Sequence, residues 1–219
     1  MNYEELYSPR LYSNLNVNYS FAGTFTNFLT AGLNGGFSPF GTVDHFESRS
    51  FGIPLNYNAS YNFGGFYSSD YSKKFALDVR SSYRFLVDSD QNYYSINVSP
   101  RFQFSPRFFL ILGSSYDYLE NDYGFVRNLS ETDDIIIGTR NRDIVNNTIN
   151  SEFIFTKRMG LNVRFRHNWQ RVAYRYFNTL NADGSRTASD YYPKDESGAS
   201  RHNTTSVSYT HLRAHETKP

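Results

Sequence analysis

The sequence predicts an all-β protein, an antiparallel up-and-down outer-membrane β-barrel, and three observations carry that expectation. Alternation of apolar and polar residues at period two recurs from end to end of the 219-residue chain. Several alternations persist for about 11 residues, where a tilted membrane strand needs roughly 9 to 11 and soluble strands usually run 5 or 6. The connections also sort by parity. Odd-numbered ones are tight and even-numbered ones tend to be long, as when short periplasmic turns and longer extracellular loops occupy opposite ends of a barrel. A sandwich with Greek-key crossovers has no reason to sort them so.

About eight strands and the start of a ninth are expected. The first places Leu11, Leu15, Val17, Tyr19 and Phe21 on one face, and a turn at 22–24 leads to the second, with Phe25, Leu29, Ala31 and Leu33. A long loop, GGFSPFGTVDHFESR at 35–49, precedes a third strand carrying Ile53, Leu55, Tyr57, Tyr61 and Phe63. The turn SSDYSKK opens the fourth, with Phe75, Leu77, Val79, Tyr83, Phe85 and Val87, and the modest loop DSDQN opens the fifth, with Ile96, Val98, Pro100, Phe102 and Phe104. A tight SPR turn at 105–107 leads into the sixth, with Phe108, Leu110, Leu112, Tyr116 and Tyr118. The long loop 119–134 follows, then a seventh with Val145, Ile149, Phe153 and Phe155. The tight turn TKRM joins it to the eighth, LNVRFRHNW at 161–169, whose phase changes after Gln170 to Val172, Tyr174 and Tyr176. A polar loop beyond Phe177 ends where a ninth strand begins, near Asn203.

In a soluble sandwich the apolar face of LNVRFRHNW would point to a core; in a membrane barrel it points to lipid and the arginines line a wet interior. The strand lengths and loop parity favour the second arrangement. Arg80, Arg84, Arg101, Arg164 and Arg166 are then the lumen-facing candidates, and Tyr61, Phe63, Phe102, Phe104, Phe153, Phe155 and Trp169 the aromatic candidates for the lipid interface.

Composition agrees. Hydrophobic residues are only 39% and mean hydropathy is −0.60, yet aromatics reach 18%, with 19 Tyr and 20 Phe, so this is no disordered chain. Net charge is +1 and supplies no electrostatic footprint for nucleic acid. Without cysteine there is neither a disulfide framework nor a thiolate metal site. No run approaches the ~18 apolar residues of a membrane helix.

Motifs for chemistry are weak. Asp88-Ser-Asp90-Gln-Asn92 has the first spacings of a calcium loop but lacks its turn Gly and bidentate Glu, and reads as a hairpin tip. Asn181-Ala-Asp183-Gly184-Ser185 reads as a turn. Glu131, Asp133 and Asp134 could pair carboxylates for glycoside hydrolysis, though a solvated loop is the default. His45 and His167 lack partners at ligand spacing, and neither a nucleophile elbow, a P-loop nor a dinucleotide fingerprint occurs. No catalytic, cofactor-binding or metal site is expected; the expected partner is outer-membrane lipid.

The two ends read differently. MNYEELYSPRLYSN has neither the basic nor the apolar region of a signal peptide, so Met1 is read as internal and the chain as a piece of a longer barrel. SYTHLRAHET, 208–217, resembles translated sequencing-adapter read-through, which confines the barrel to 1–207 and makes 208–219 a non-native tail. The His211 and His215 pair within it receives no metal-binding role.

SSDYSKKFALD at 68–78, NVSPRFQFS at 97–105, DYGFV at 122–126 and above all IIIGTRNRDIVNNTINSEFIFTKRMGLNVRFRHNW at 135–169 carry a resemblance. The chain resembles a family of Gram-negative outer-membrane proteins with a domain of unknown function, whose members join an N-terminal carbohydrate-binding module of family-nine type to a C-terminal β-barrel. That resemblance implies an outer-membrane location and, through the upstream module, a role with surface glycans or other solutes; it implies no catalytic residues. Two alternatives stand beside it, a segment of a TonB-dependent transporter barrel and a soluble β-rich carbohydrate-binding or hydrolytic protein.

Overall fold

A computed structural model describes residues 1–129, 133–156, 159–191 and 203–216, the last as a backbone strand. Within these residues the chain forms thirteen strands and no helix: β1 (Asn2–Glu5), β2 (Tyr12–Thr24), β3 (Thr30–Ser38), β4 (Thr42–Asp44), β5 (Leu55–Tyr57), β6 (Ser60–Ser68), β7 (Phe75–Leu86), β8 (Asn92–Ser105), β9 (Phe108–Asn128), β10 (Ile135–Thr156), β11 (Met159–Leu180), β12 (Arg186–Ala188) and β13 (Asn203–Glu216). All pairings are antiparallel. The long strands run as a meander, β2-β3-β6-β7-β8-β9-β10-β11-β13. The sheet is open: among the described residues no pairing joins β13 to β1 or β2.

Several boundaries differ from the sequence reading. β2 continues through Thr24, and the turn lies at 25–29, closed by the Phe25 amide donating to the Leu29 carbonyl, with Phe28 at φ 61°. The alternation from Phe25 to Leu29 is therefore a turn, held out of the sheet by that left-handed residue. The expected third strand breaks at Asn58: β5 pairs with β4, which lies inside the expected loop, and only β6 joins the meander. The expected loop 119–134 is mostly strand, since β9 spans 21 residues and β10 spans 22. β11 runs straight through Gln170 to Leu180.

Register is what sorts the faces. The row Phe21, Leu33, Gly65, Ser81, Ile96, Tyr116, Val145 and Trp169 crosses the sheet from β2 to β11 without a change of side. Successive residues of a strand point to opposite faces, so the neighbouring row, Phe66, Arg80, Asn97, Ser115, Asn146 and Asn168, lies on the other side. One face is apolar and uncovered; the other is polar and concave, with a cavity spanning β3, β6, β7 and β8. Buried apolar side chains gather at the loop end, in Leu55, Ile135, Ile137 and Leu180.

Candidate functional site

The concave face owes its polarity to every second residue of the long strands. Two of its carboxylates are engaged by hydroxyl donors: Asp78 accepts from Ser68 at 2.6 Å and from Tyr71, and Asp117 accepts from the Tyr93 hydroxyl at 2.8 Å. Arg80, Arg84 and Arg101 share this face and make no ion pair among the described residues. Each has an aromatic neighbour instead. Arg80 stands opposite Phe66 in the register, Arg84 lies 5.7 Å from the Tyr93 ring centroid, and Arg101 lies 5.5 Å from the centroids of both Tyr71 and Phe109. The Arg101 Nε is closed off from solvent without a hydrogen-bond partner. Arg80 lines a cavity of about 530 Å³ together with Asn34, Phe66, Ser82, Ser95 and Asn97.

Arg164 and Arg166 fall on the same face, opposite Asn150 and Thr148. The register thus brings all of the lumen-facing candidates to one side of the sheet. Tyr61, Phe63, Phe102, Phe104, Phe153, Phe155 and Trp169 all lie on the other side; Trp169 stands in the row of Ile96, Tyr116 and Val145, and the other six form two groups. Phe102, Phe104, Phe153 and Phe155 belong to the turn end, joined through Phe108, whose ring centroid is 4.9 Å from Phe104 and 5.7 Å from Phe153. Tyr61 and Phe63 belong to the loop end, the first stacked with Phe85 and the second tilted against it, and the row through Phe63 continues as Tyr83, Tyr94 and Tyr118. Tyr83 donates its hydroxyl to Asn92 and, in the adjacent row, Tyr116 donates to Asp143.

Sequence reasoning missed the strap at the loop end. The segment carrying β4 and β5 leaves β3 and docks on the far ends of β9, β10 and β11. Leu55, fully buried, packs with Ile135, Ile137 and Leu180. Glu47 accepts from the Phe125 amide at 2.8 Å, Arg49 lies over the Phe125 ring, and Arg186 lies 3.7 Å from the Tyr123 centroid. Asn56 donates to the carbonyl of Asp183, and its own carbonyl accepts from Arg186 at 2.9 Å. Val172 and Tyr174 keep the concave side, opposite Arg142 and Arg140, where the strand has left the level of the solvated cavity. Arg140 and Arg142 both pair with Asp122, at 3.2 and 3.1 Å, beside the strap. Burial, and then the negative charges of Asp122, Glu47 and Asp44, push the Tyr57 phenol well above its usual range.

The other candidate motifs fold as turns. The Asp88 and Asp90 carbonyls accept from Asn58 and Asn121, which leaves them engaged within the protein. Asp183 accepts from the Ser185 amide and hydroxyl, and these bonds hold its carboxyl below the usual range. His45 bonds the Tyr12 carbonyl and His167 faces Asn147. Among the described residues no group of three or more His, Asp or Glu is placed to hold a metal. Glu131 and the His211 and His215 side chains lie outside the described residues.

No curated protein and no solved structure shows detectable similarity to the chain. A family model matches residues 1–211, nearly the whole sequence, under the description Domain of unknown function (DUF5916). The all-β meander with its polar and apolar faces is therefore the architecture of a member: the chain belongs to the DUF5916 family.

Proposed function

We propose that the chain forms part of the wall of an outer-membrane β-barrel that handles polar solutes at the cell surface, with its aromatic face in lipid and its arginine face wetted. The observation that carries this reading is the uncovered apolar face. Phe21, Leu33, Phe75 and Phe104 are 71%, 68%, 51% and 59% exposed. Soluble proteins rarely leave contiguous apolar patches larger than a few hundred Å², and here one extends from β2 to β11. No second layer covers it among the described residues, and apart from Ala76 the few buried apolar side chains sit at the loop end.

The spacing of its aromatic groups supports the same reading. From Tyr94 to Phe102 along β8 the rise is about 27 Å at ~3.4 Å per residue. At a strand tilt of ~40° that projects to about 20 Å, close to the ~25 Å apolar band that aromatic girdles flank in outer-membrane barrels. Leu77, Val98, Leu112, Ile149 and Phe165 fill the interval. The tight turns then face the periplasm and the strapped end faces outward. Glycans are a candidate solute through the module such proteins carry.

Cysteine labelling tests the reading, and the absence of native cysteine makes it clean. In the full chain within outer membranes, Ser115→Cys should react with a water-soluble maleimide while Leu112→Cys reacts only with a lipid-soluble one. Equal aqueous labelling at both positions would favour the rival, a soluble carbohydrate-binding or hydrolytic protein.

A further inference from the structure

We infer that the concave face carries a linear binding track for an acidic oligosaccharide, built from Arg84, Arg80 and Arg101. The inference rests on the proposed wetting of that face and names the solute class it would take.

The register sets the geometry. Arg84 and Arg80 are on β7, and Arg101 on β8 stands opposite Ala76. The cations therefore recur at the levels of positions 84, 80 and 76 of β7, with steps of about 14 Å at ~3.4 Å per residue. They run from the strapped end toward the turn end, along the direction a solute would travel. None makes an ion pair among the described residues, and the Asp78 and Asp117 carboxylates on the same face accept from Ser68, Tyr71 and Tyr93 instead. Arg80 and Arg84 are exposed and Arg101 half-buried, and arginine guanidinium groups bind carboxylate and sulfate through paired, charge-assisted hydrogen bonds.

The company each cation keeps selects a saccharide over a simple anion. Phe66, Tyr93, and the Tyr71 and Phe109 pair bring an aromatic ring to every step. Around Arg80 the cavity adds the amides of Asn34 and Asn97 and the hydroxyls of Ser82 and Ser95. An aromatic face for sugar C–H groups, neutral donors and acceptors for hydroxyls, and a guanidinium for the acid group are the complement of a uronic or sulfated sugar. An inorganic anion would use the arginines alone.

The test uses the full chain in detergent micelles, with the Leu112→Cys and Ser115→Cys labelling contrast run in parallel. Titration calorimetry compares a short oligogalacturonate, a malto-oligosaccharide of equal length and inorganic sulfate. The track requires saturable oligogalacturonate binding that weakens with salt. It requires at least tenfold loss in R80Q/R84Q, recovery in R80K/R84K, and little binding of the neutral sugar. R80Q alone should lose several-fold, and since Arg80 makes no ion pair its removal leaves the fold intact. Equal affinity for both sugars, sulfate as tight as oligogalacturonate, or binding indifferent to R80Q/R84Q would each overturn the inference. So would absent binding with the labelling contrast intact. Loss of the contrast with arginine-dependent binding retained would sink the membrane reading and support the track.

Discussion

Asn56 and Asp183 are joined by a 2.9 Å hydrogen bond from the Asn56 side-chain amide to the Asp183 carbonyl, across 127 positions of sequence. The Asn56 backbone amide donates to the neighbouring Gly184 carbonyl, so the strap is pinned to the β11–β12 turn at two points. Gly184 sits at φ +81°, and a Cβ there would lie 2.5 Å from the Asn56 Nδ2. Gly184→Ala therefore strains the turn and displaces its partner at once. Leu55→Ala removes the fully buried side chain at the strap's centre, worth about 2–5 kcal/mol in a packed core. Both variants should expose the strap to added protease at Arg49 while the meander stays resistant. An unchanged cleavage pattern would show that the strap is not held by these contacts.

Alkaline pH should release the same element through Tyr57. Its phenol titrates above the ordinary value chiefly because burial disfavours the phenolate, with Asp122, Glu47 and Asp44 adding repulsion. A raised folded pKa means that the neutral form is preferred in the folded state. The associated stability is intact below the unfolded value of about 10 and declines as pH climbs from there toward the folded pKa. Near-ultraviolet circular dichroism should show an alkaline transition in the wild type that Tyr57→Phe lacks. Coincident curves would remove Tyr57 as its cause.

The strands were legible because one half-buried pleat stamps period two on the sequence, and β7, β9 and β13 begin close to where alternation resumes. That Arg80, Arg84, Arg101, Arg164 and Arg166 fall on the face opposite Phe63, Phe102 and Phe153 was legible for the same reason. What escaped was structure without a local signature. Phe28 adopts a left-handed φ that glycine or asparagine would have announced, so its turn passed for strand. Asn121, at φ 53°, breaks the pairing between β9 and β10 and with it the alternation, so the outer half of β9 read as loop. β4 and β5, three residues each, are ordered by contacts with positions 123–186. No window of sequence contains both sides of such contacts.

Gly124 is a position where side-chain volume itself is excluded. A Cβ there would collide with the Arg140 guanidinium, which is held against Asp122. Gly124→Ala should push Arg140 off that carboxylate and cost about 1–3 kcal/mol, in the range typical of a disrupted buried ion pair or overpacked site. Arg140→Ala in the same background should then cost little more, because the pair is already broken. Additive losses in a double-mutant cycle would show that the two residues act independently.

The two faces make the sharpest contrast under a single charge. Leu112 lies on the apolar face midway between the aromatic groups, and Ser115 lies on the concave face in the Arg80 row. If the apolar face meets lipid, Leu112→Arg places a guanidinium near the bilayer midplane and destabilises by about 2–4 kcal/mol, whereas the same charge on a lumen face tunes selectivity at little cost. If that face meets water, Leu112→Arg is a surface substitution, and those usually fall within about 0.5 kcal/mol. Denaturant titration of the two variants in phospholipid vesicles separates the cases by a margin larger than its own error. A large loss at Leu112 with near neutrality at Ser115 supports the membrane wall; equal, small effects would return the protein to solution and leave its aromatic face in need of a partner.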